Sequence, residues 1–188
     1  MAEILPINFP LPPEPAIISY SWTDLDSGTG YVDYFLLGTK NTSGETVLLT
    51  PSSSVVGFWD SQGNGFNETT YHNFDVTFNH PRTIKGRAYF SGQMFDLDNN
   101  SKVTAKLIHY DGSTETVIGA ETVTFEIANG TYNFCLCWDV SQTLFKKGET
   151  LRLAVKVGQD GCEICIDPTG TTPAIKPARL SVPFKIDT

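Results

Sequence analysis

The four cysteines are the residues best suited to chemistry. They sit as Cys135-Leu-Cys137 and Cys162-Glu-Ile-Cys165, and the second pair has the C-x-x-C spacing of zinc knuckles and redox motifs. Tetrahedral zinc needs four thiolates, each about 2.3 Å from one point. Cys135 and Cys137 fall on a regular strand pattern, where same-face neighbours lie about 6.5–7 Å apart along the chain. That is a poor spacing for chelation. Should 131–140 and 150–157 pair as a hairpin around Lys146, Cys162 overshoots Cys135. A turn back at 158–161 instead places a whole strand between the two pairs. Either geometry argues against one site built from all four thiolates. Zinc, disulfides and reduced thiols stay open as readings, and small, semi-buried, reduced cysteines fit best. A thioredoxin-like site is disfavoured, because that motif opens a helix in a βαβ unit.

The remaining candidates are weaker. Asp24-Leu-Asp26-Ser27 and Asp96-Leu-Asp98-Asn99-Asn100 resemble pieces of calcium loops, but neither runs on to the Gly and distal Glu of an EF-hand. Turn chemistry explains both, since Asp and Asn cap nearby backbone groups. His72, His80 and His109 have no metal-type spacing and no nucleophile elbow beside them. Carboxylate pairs for glycoside hydrolysis can come from distant strands, and no pair stands out. Trp22, Trp59 and Trp138, with the many Tyr and Phe, read as core before they read as a sugar-stacking platform. The sequons at Asn41, Asn67, Asn99 and Asn129 read as chance. No catalytic residue, metal ligand or cofactor is therefore expected.

These side chains must be positioned almost wholly by β-strands. Candidate strands are 16–23, 30–37, 45–50, 54–59, 68–79, 83–95, 102–110, 114–127 with a break near Gly119, 131–140, 150–157 and 178–186, separated by Gly, Asn, Asp and Ser clusters. Several alternate with period two. Tyr132, Phe134, Leu136, Trp138 and Val140 share one face, while Asn133, Cys135, Cys137 and Asp139 share the other. Leu151, Leu153, Val155 and Val157 likewise oppose Arg152, Ala154 and Lys156. HYDGST and FKKGET read as tight hairpin turns, and 166–177 as a crossing at one end of the domain.

The architecture implied is all-β: an antiparallel sandwich, jelly-roll-like, spanning 16–188 as a single domain, with an up-and-down barrel as the alternative. Residues 1–15 form an extended arm, because Pro6, Pro10, Pro12, Pro13 and Pro15 deny donors to any helix or sheet. Its apolar side chains need a surface to lie on. Ile4, Leu5, Phe9, Pro12 and Pro13 are the candidate partner contacts. With 188 residues and a net charge of −8, the chain has the wrong sign to track phosphate backbones. It has no apolar run long enough to span a membrane, and its opening lacks the basic and apolar regions of an export signal.

Two stretches, TDLDSGTGYVDYFLLGTKNTSGETVLLTP (23–51) and LSVPFKIDT (180–188), flank a middle containing LIHYDGSTETVIG and LFKKGETLRLAV. Together they resemble the small all-β virion structural proteins of tailed bacteriophages. The resemblance runs in order over most of 20–188. It implies a capsid decoration protein or a minor head or tail subunit, made in the host cytoplasm and carried in the virion. Its partners would be copies of itself and other virion proteins such as the major capsid protein, with no direct nucleic-acid or membrane contact. Cys135, Cys137, Cys162 and Cys165 match nothing in that pattern. The competing reading is a carbohydrate-binding or receptor-binding module, and the third, least supported, is a β-sandwich hydrolase.

Overall fold

The computed structural model describes residues 29–41, 44–51, 71–95, 101–125, 132–158, 163–164 and 178–185. Ten strands form: β1 (Thr29–Asn41), β2 (Gly44–Thr50), β3 (His72–Thr77), β4 (Arg82–Phe95), β5 (Ser101–Tyr110), β6 (Glu115–Phe125), β7 (Tyr132–Phe145), β8 (Thr150–Gly158), β9 (Glu163–Ile164) and β10 (Arg179–Lys185). No helix is present among the described residues. The arm residues Ile4, Leu5, Phe9, Pro12 and Pro13, the stretches 16–23, 54–59 and 166–177, both acidic clusters, Trp22, Trp59, Cys162 and Cys165 lie outside them.

The strands build an antiparallel β-sandwich. One sheet runs β2-β1-β10-β4-β7 and the other β6-β5-β8-β3, and a single parallel pairing, Leu48 with Asp75, joins β2 to β3. The fully buried side chains Phe74, Phe90, Phe145, Ile84, Leu107, Leu136, Leu151, Leu153, Leu180 and Val103 come from both sheets and interdigitate between them. Each such side chain contributes roughly 1.5–3 kcal/mol by leaving water. The period-two pattern read for β7 holds, with Phe134, Leu136, Trp138 and Val140 buried and the residues between them exposed.

Three sequence expectations need correction. First, β7 and β8 do not pair as a hairpin. β7 lies beside β4, while β8 lies between β3 and β5 in the other sheet. The FKKGET turn is tight, with Glu149 N–H donating to the Lys146 carbonyl at 3.1 Å and Gly148 at φ +89°. Its backbone, however, is held by Phe78 beyond the end of β3. Gly148 N–H donates to the Phe78 carbonyl (2.8 Å) and Phe78 N–H to the Glu149 carbonyl (3.0 Å). Those two bonds commit β8 to β3. Second, β7 continues five residues past the expected end, to Phe145, whose ring packs edge-on against Phe78 with centroids 5.3 Å apart. Third, Cys135 and Cys137 are exposed rather than semi-buried, because the alternation that buries Phe134, Leu136 and Trp138 turns both thiols outward.

Two irregularities in the ladders have clear causes. The break expected near Gly119 is a bulge: Leu107 pairs with Gly119 and Ile108 with Val117, leaving Ile118 without an opposite number. Pro183 sits in β10 at the centre of its sheet, where the β10–β4 register slips between Ser181 and Phe184 and the β4–β7 register slips between Ile84 and Gly86. Gly86 has φ +119°, so the ladder is already interrupted where the proline has no N–H to give.

Candidate functional site

Cys135 and Cys137 lie on the outer face of the five-stranded sheet with Tyr31, Asp33, Arg87, Tyr89, Asp139, Arg179 and Ser181. Opposite neighbours across β1, β10, β4 and β7 run Asp33, Ser181, Tyr89, Cys137. Arg87 grips Asp139 with two parallel hydrogen bonds, Nε to Oδ1 at 2.9 Å and Nη2 to Oδ2 at 3.0 Å. That contact holds the carboxyl of Asp139 below its usual range and raises the guanidinium. Asp33 accepts from Ser181 Oγ and from Arg179 Nη1. Partial burial, with Cys137 and Glu121 nearby, pushes the Cys135 thiol up. Both cysteines are free thiols, and among the described residues no group of three metal-ligating side chains converges.

The outer face of the four-stranded sheet carries a second array. Arg152 on β8 reaches Asp75 on β3 through Nε to Oδ1 and Nη2 to Oδ2, both 2.7 Å, and Glu115 on β6 through Nη1. Its guanidinium also lies 4.8 Å from the centre of the Tyr110 ring. Beneath this layer Ile108 and Ala154 are buried, yet they stand apart from the core between the sheets, so the overlying polar side chains cover them. Further along the same face the Tyr71 ring receives Lys106 Nζ at 4.4 Å and Lys156 Nζ at 5.1 Å from its centroid. Thr104 and Thr122 share a 2.9 Å hydrogen bond beside them.

His109 takes a structural place. Its Nε2 lies 2.7 Å from Glu149 Oε2, its ring sits 4.3 Å from that of Phe145, and the same carboxylate oxygen accepts from Lys146 N–H at 2.8 Å. That backbone bond, with the histidine's help, holds the Glu149 carboxyl below its usual range. The group pins the crossover turn to the end of β5. Trp138, read from sequence as core, is core: it is 5% exposed, and among the described residues its Nε1 has no hydrogen-bond partner.

Sequence reading singled out the cysteines and missed Tyr71, Tyr110, Lys106, Arg152 and Lys156 as a group. Part of the signal was present. Period two already puts Arg152, Ala154 and Lys156 on one face of β8 and Lys102, Thr104 and Lys106 on one face of β5. What was missing was the β5–β8 register that sets Thr104 against Lys156.

No protein-family model matches the sequence, and no curated protein does either. Several solved structures are similar in backbone. A CocE/NonD family hydrolase from Staphylococcus aureus shares 17% identity over 80% of this chain and 34% of its own, with a TM-score of 0.46. The chain thus spans about a third of that hydrolase. A CBM4 structure shares 9% identity over 85% of this chain and 84% of its own, with a TM-score of 0.34. An infectious bursal disease virus VP2 subviral particle shares 11% over 91% of this chain and 60% of its own, at 0.23. These likenesses are too distant to assign a family or an activity.

Proposed function

We propose that this chain is a non-enzymatic virion structural protein of a tailed phage, a capsid decoration or minor head or tail component. It acts through contacts with copies of itself and with other virion proteins such as the major capsid protein. The strand order, β1-β10-β4-β7 facing β3-β8-β5-β6, we read as a jelly roll with β2 added beside β1 and the short β9 beside the end of β4. One observation supports the assembly reading most. Both outer faces are ordered in advance, by Arg87–Asp139 and Asp33–Ser181 on one side and Asp75–Arg152–Glu115 on the other. Side chains already held in place lose less entropy when a partner docks, which suits a contact repeated over a lattice.

The test is the mass of the protein in solution by light scattering, with and without residues 1–15. A symmetric oligomer that falls to a folded monomer on truncation is expected. Unchanged assembly removes the arm from the reading, and a monomer in both preparations that also fails to bind purified phage heads overturns it.

The second reading is a saccharide-binding or receptor-binding module. It is favoured by the cluster of Tyr71, Lys106 and Lys156 on the outer face of the four-stranded sheet.

A further inference from the structure

The chain is acidic overall, but one part of its surface is not. On β5, Lys102 and Lys106 stand two residues to either side of Thr104, on the same face, and Lys156 on β8 is directly opposite Thr104. Same-face neighbours along a strand and diagonal neighbours across a pair lie about 6.5–8 Å apart, so three ammonium-bearing side chains rise around one threonine. Lys106 and Lys156 both direct Nζ to the Tyr71 ring, which places the two ammonium groups within about 10 Å of each other. The electron-rich face of the ring offsets part of their mutual repulsion. Of the described carboxylates on this sheet face, Asp75 stands in the row next to Lys106 and Glu115 one row further, and both are bound by Arg152.

The residues between the lysines are small. Lys106 is flanked by Ala120 on β6 and by Ala154 on β8, with Asn73 next on β3. Thr104 and Thr122 present paired hydroxyls in the adjoining row. Small residues between long ones make a shallow trough across the strands, lined by hydroxyls, an amide and ammonium groups. A protein partner would need a cluster of apolar anchors at the centre of its contact, and the described residues here offer one aromatic ring, Tyr71, already engaged by two lysines. The exposed large hydrophobics among the described residues are Val117 and Leu144, outside the trough. Three ammonium groups on a molecule of net charge −8 are fewer than the phosphate contacts that sustain binding to a nucleic-acid backbone.

We propose that this trough, formed by Tyr71, Asn73, Lys102, Thr104, Lys106 and Lys156, binds a carboxylated polysaccharide. The lysines take the carboxylates, and the threonine hydroxyls and the asparagine amide take sugar hydroxyls. The inference deepens the binding-module reading and rests on it.

The experiment is calorimetric titration of the full chain at low salt with polygalacturonate, with neutral dextran and with a single-stranded DNA oligonucleotide. Binding to polygalacturonate alone is expected, weakened about ten-fold or more in the Lys106→Glu, Lys156→Glu double variant, the scale expected when charged contacts are reversed. The milder Lys106→Gln, Lys156→Gln pair guards against misfolding, and Lys85→Glu on the opposite sheet is expected to bind as the parent does. Equal binding to dextran, or binding that survives both double variants, overturns the carboxylate assignment while leaving a saccharide-binding module in place. Binding of DNA in preference to polygalacturonate overturns it in favour of a general polyanion surface. If no saccharide binds, the inference and the binding-module reading fall together.

Discussion

Glu121 on β6 accepts a 2.7 Å hydrogen bond from the backbone N–H of Cys137 on β7. The two residues belong to the outermost strands of different sheets, so a carboxylate on one edge satisfies an outward-facing donor on the other. Beside it, Gly119 leaves the space into which Trp138 packs. The sandwich is thereby sealed along this side by side chains, as it is along the other by the β2–β3 pairing.

Removing that seal has a measurable cost. Glu121→Ala is expected to lower stability by about 1 kcal/mol, the ordinary net contribution of a hydrogen bond, and to leave an edge donor open for intermolecular pairing. Urea unfolding and light scattering on heating would check both. Unchanged stability and unchanged aggregation would count against the seal.

Gly119→Ala tests the packing beneath it. A Cβ at this position would lie 2.8 Å from Trp138 Cγ and 2.9 Å from its Cβ, closer than packed carbon atoms approach. The expected loss is about 1–3 kcal/mol, with a change in the tryptophan signal in near-ultraviolet circular dichroism. A variant as stable as the parent would show that the indole can move at no cost.

Arg152 joins Asp75 and Glu115 and lies against the Tyr110 ring. Arg152→Met is expected to cost about 1–3 kcal/mol, because it strands Asp75, whose side chain is only 30% exposed. Arg152→Lys should recover little of this, since an ammonium cannot make the paired Nε and Nη2 bonds. Chemical denaturation of the three proteins decides the point. Full rescue by lysine would mean that charge alone matters.

The turn held by Glu149 should give a pH signature. Its folded-state pKa is lowered, chiefly by the Lys146 N–H and then by His109, so the stabilisation is present above the ordinary glutamate value of about 4.3. It is lost as pH falls through the lowered folded-state value. The melting temperature is expected to drop more steeply in that acid range for the parent than for Glu149→Gln, whose curve should be lower and flatter. Parallel curves would remove Glu149 from the account.

Cys135 and Cys137 should react with a thiol reagent in the native protein, without denaturant, and the Cys135→Ser, Cys137→Ser double variant should lose both reactions. Cys135 is expected to be slowed by its raised pKa, since the thiolate is the attacking species. Protection of both thiols until unfolding would contradict their exposure.

Most of the fold was legible in the residues because a half-buried strand writes its own period. Phe134, Leu136, Trp138 and Val140 reveal which side of β7 faces the core before any partner is known. Pairing is less legible. Nothing local to FKKGET distinguishes a hairpin from a crossover between sheets, because the deciding bonds come from Phe78, some seventy residues earlier in the chain. The surface arrays were hidden for the same reason: Tyr71 meets Lys106 and Lys156 only after β3, β5 and β8 have found their register. Conversely, the cysteines drew attention through residue type and spacing, and the described pair proves to be two separate exposed thiols.

The place of β10 bears on how the protein comes into being. It lies between β1 and β4, so Val32 and Asp33 pair with Val182 and Ser181 across nearly the whole length of the chain. Until that late segment leaves the ribosome, β1-β2 and β4-β7 are two half-sheets with no bridge between them, each showing an unpaired inner edge to its surroundings. Folding of this domain therefore waits on its last strand, and it is slow to nucleate because central contacts of the sheet join distant parts of the chain. A nascent chain interrupted before residue 179 would be a substrate for chaperones or proteases rather than a smaller stable domain.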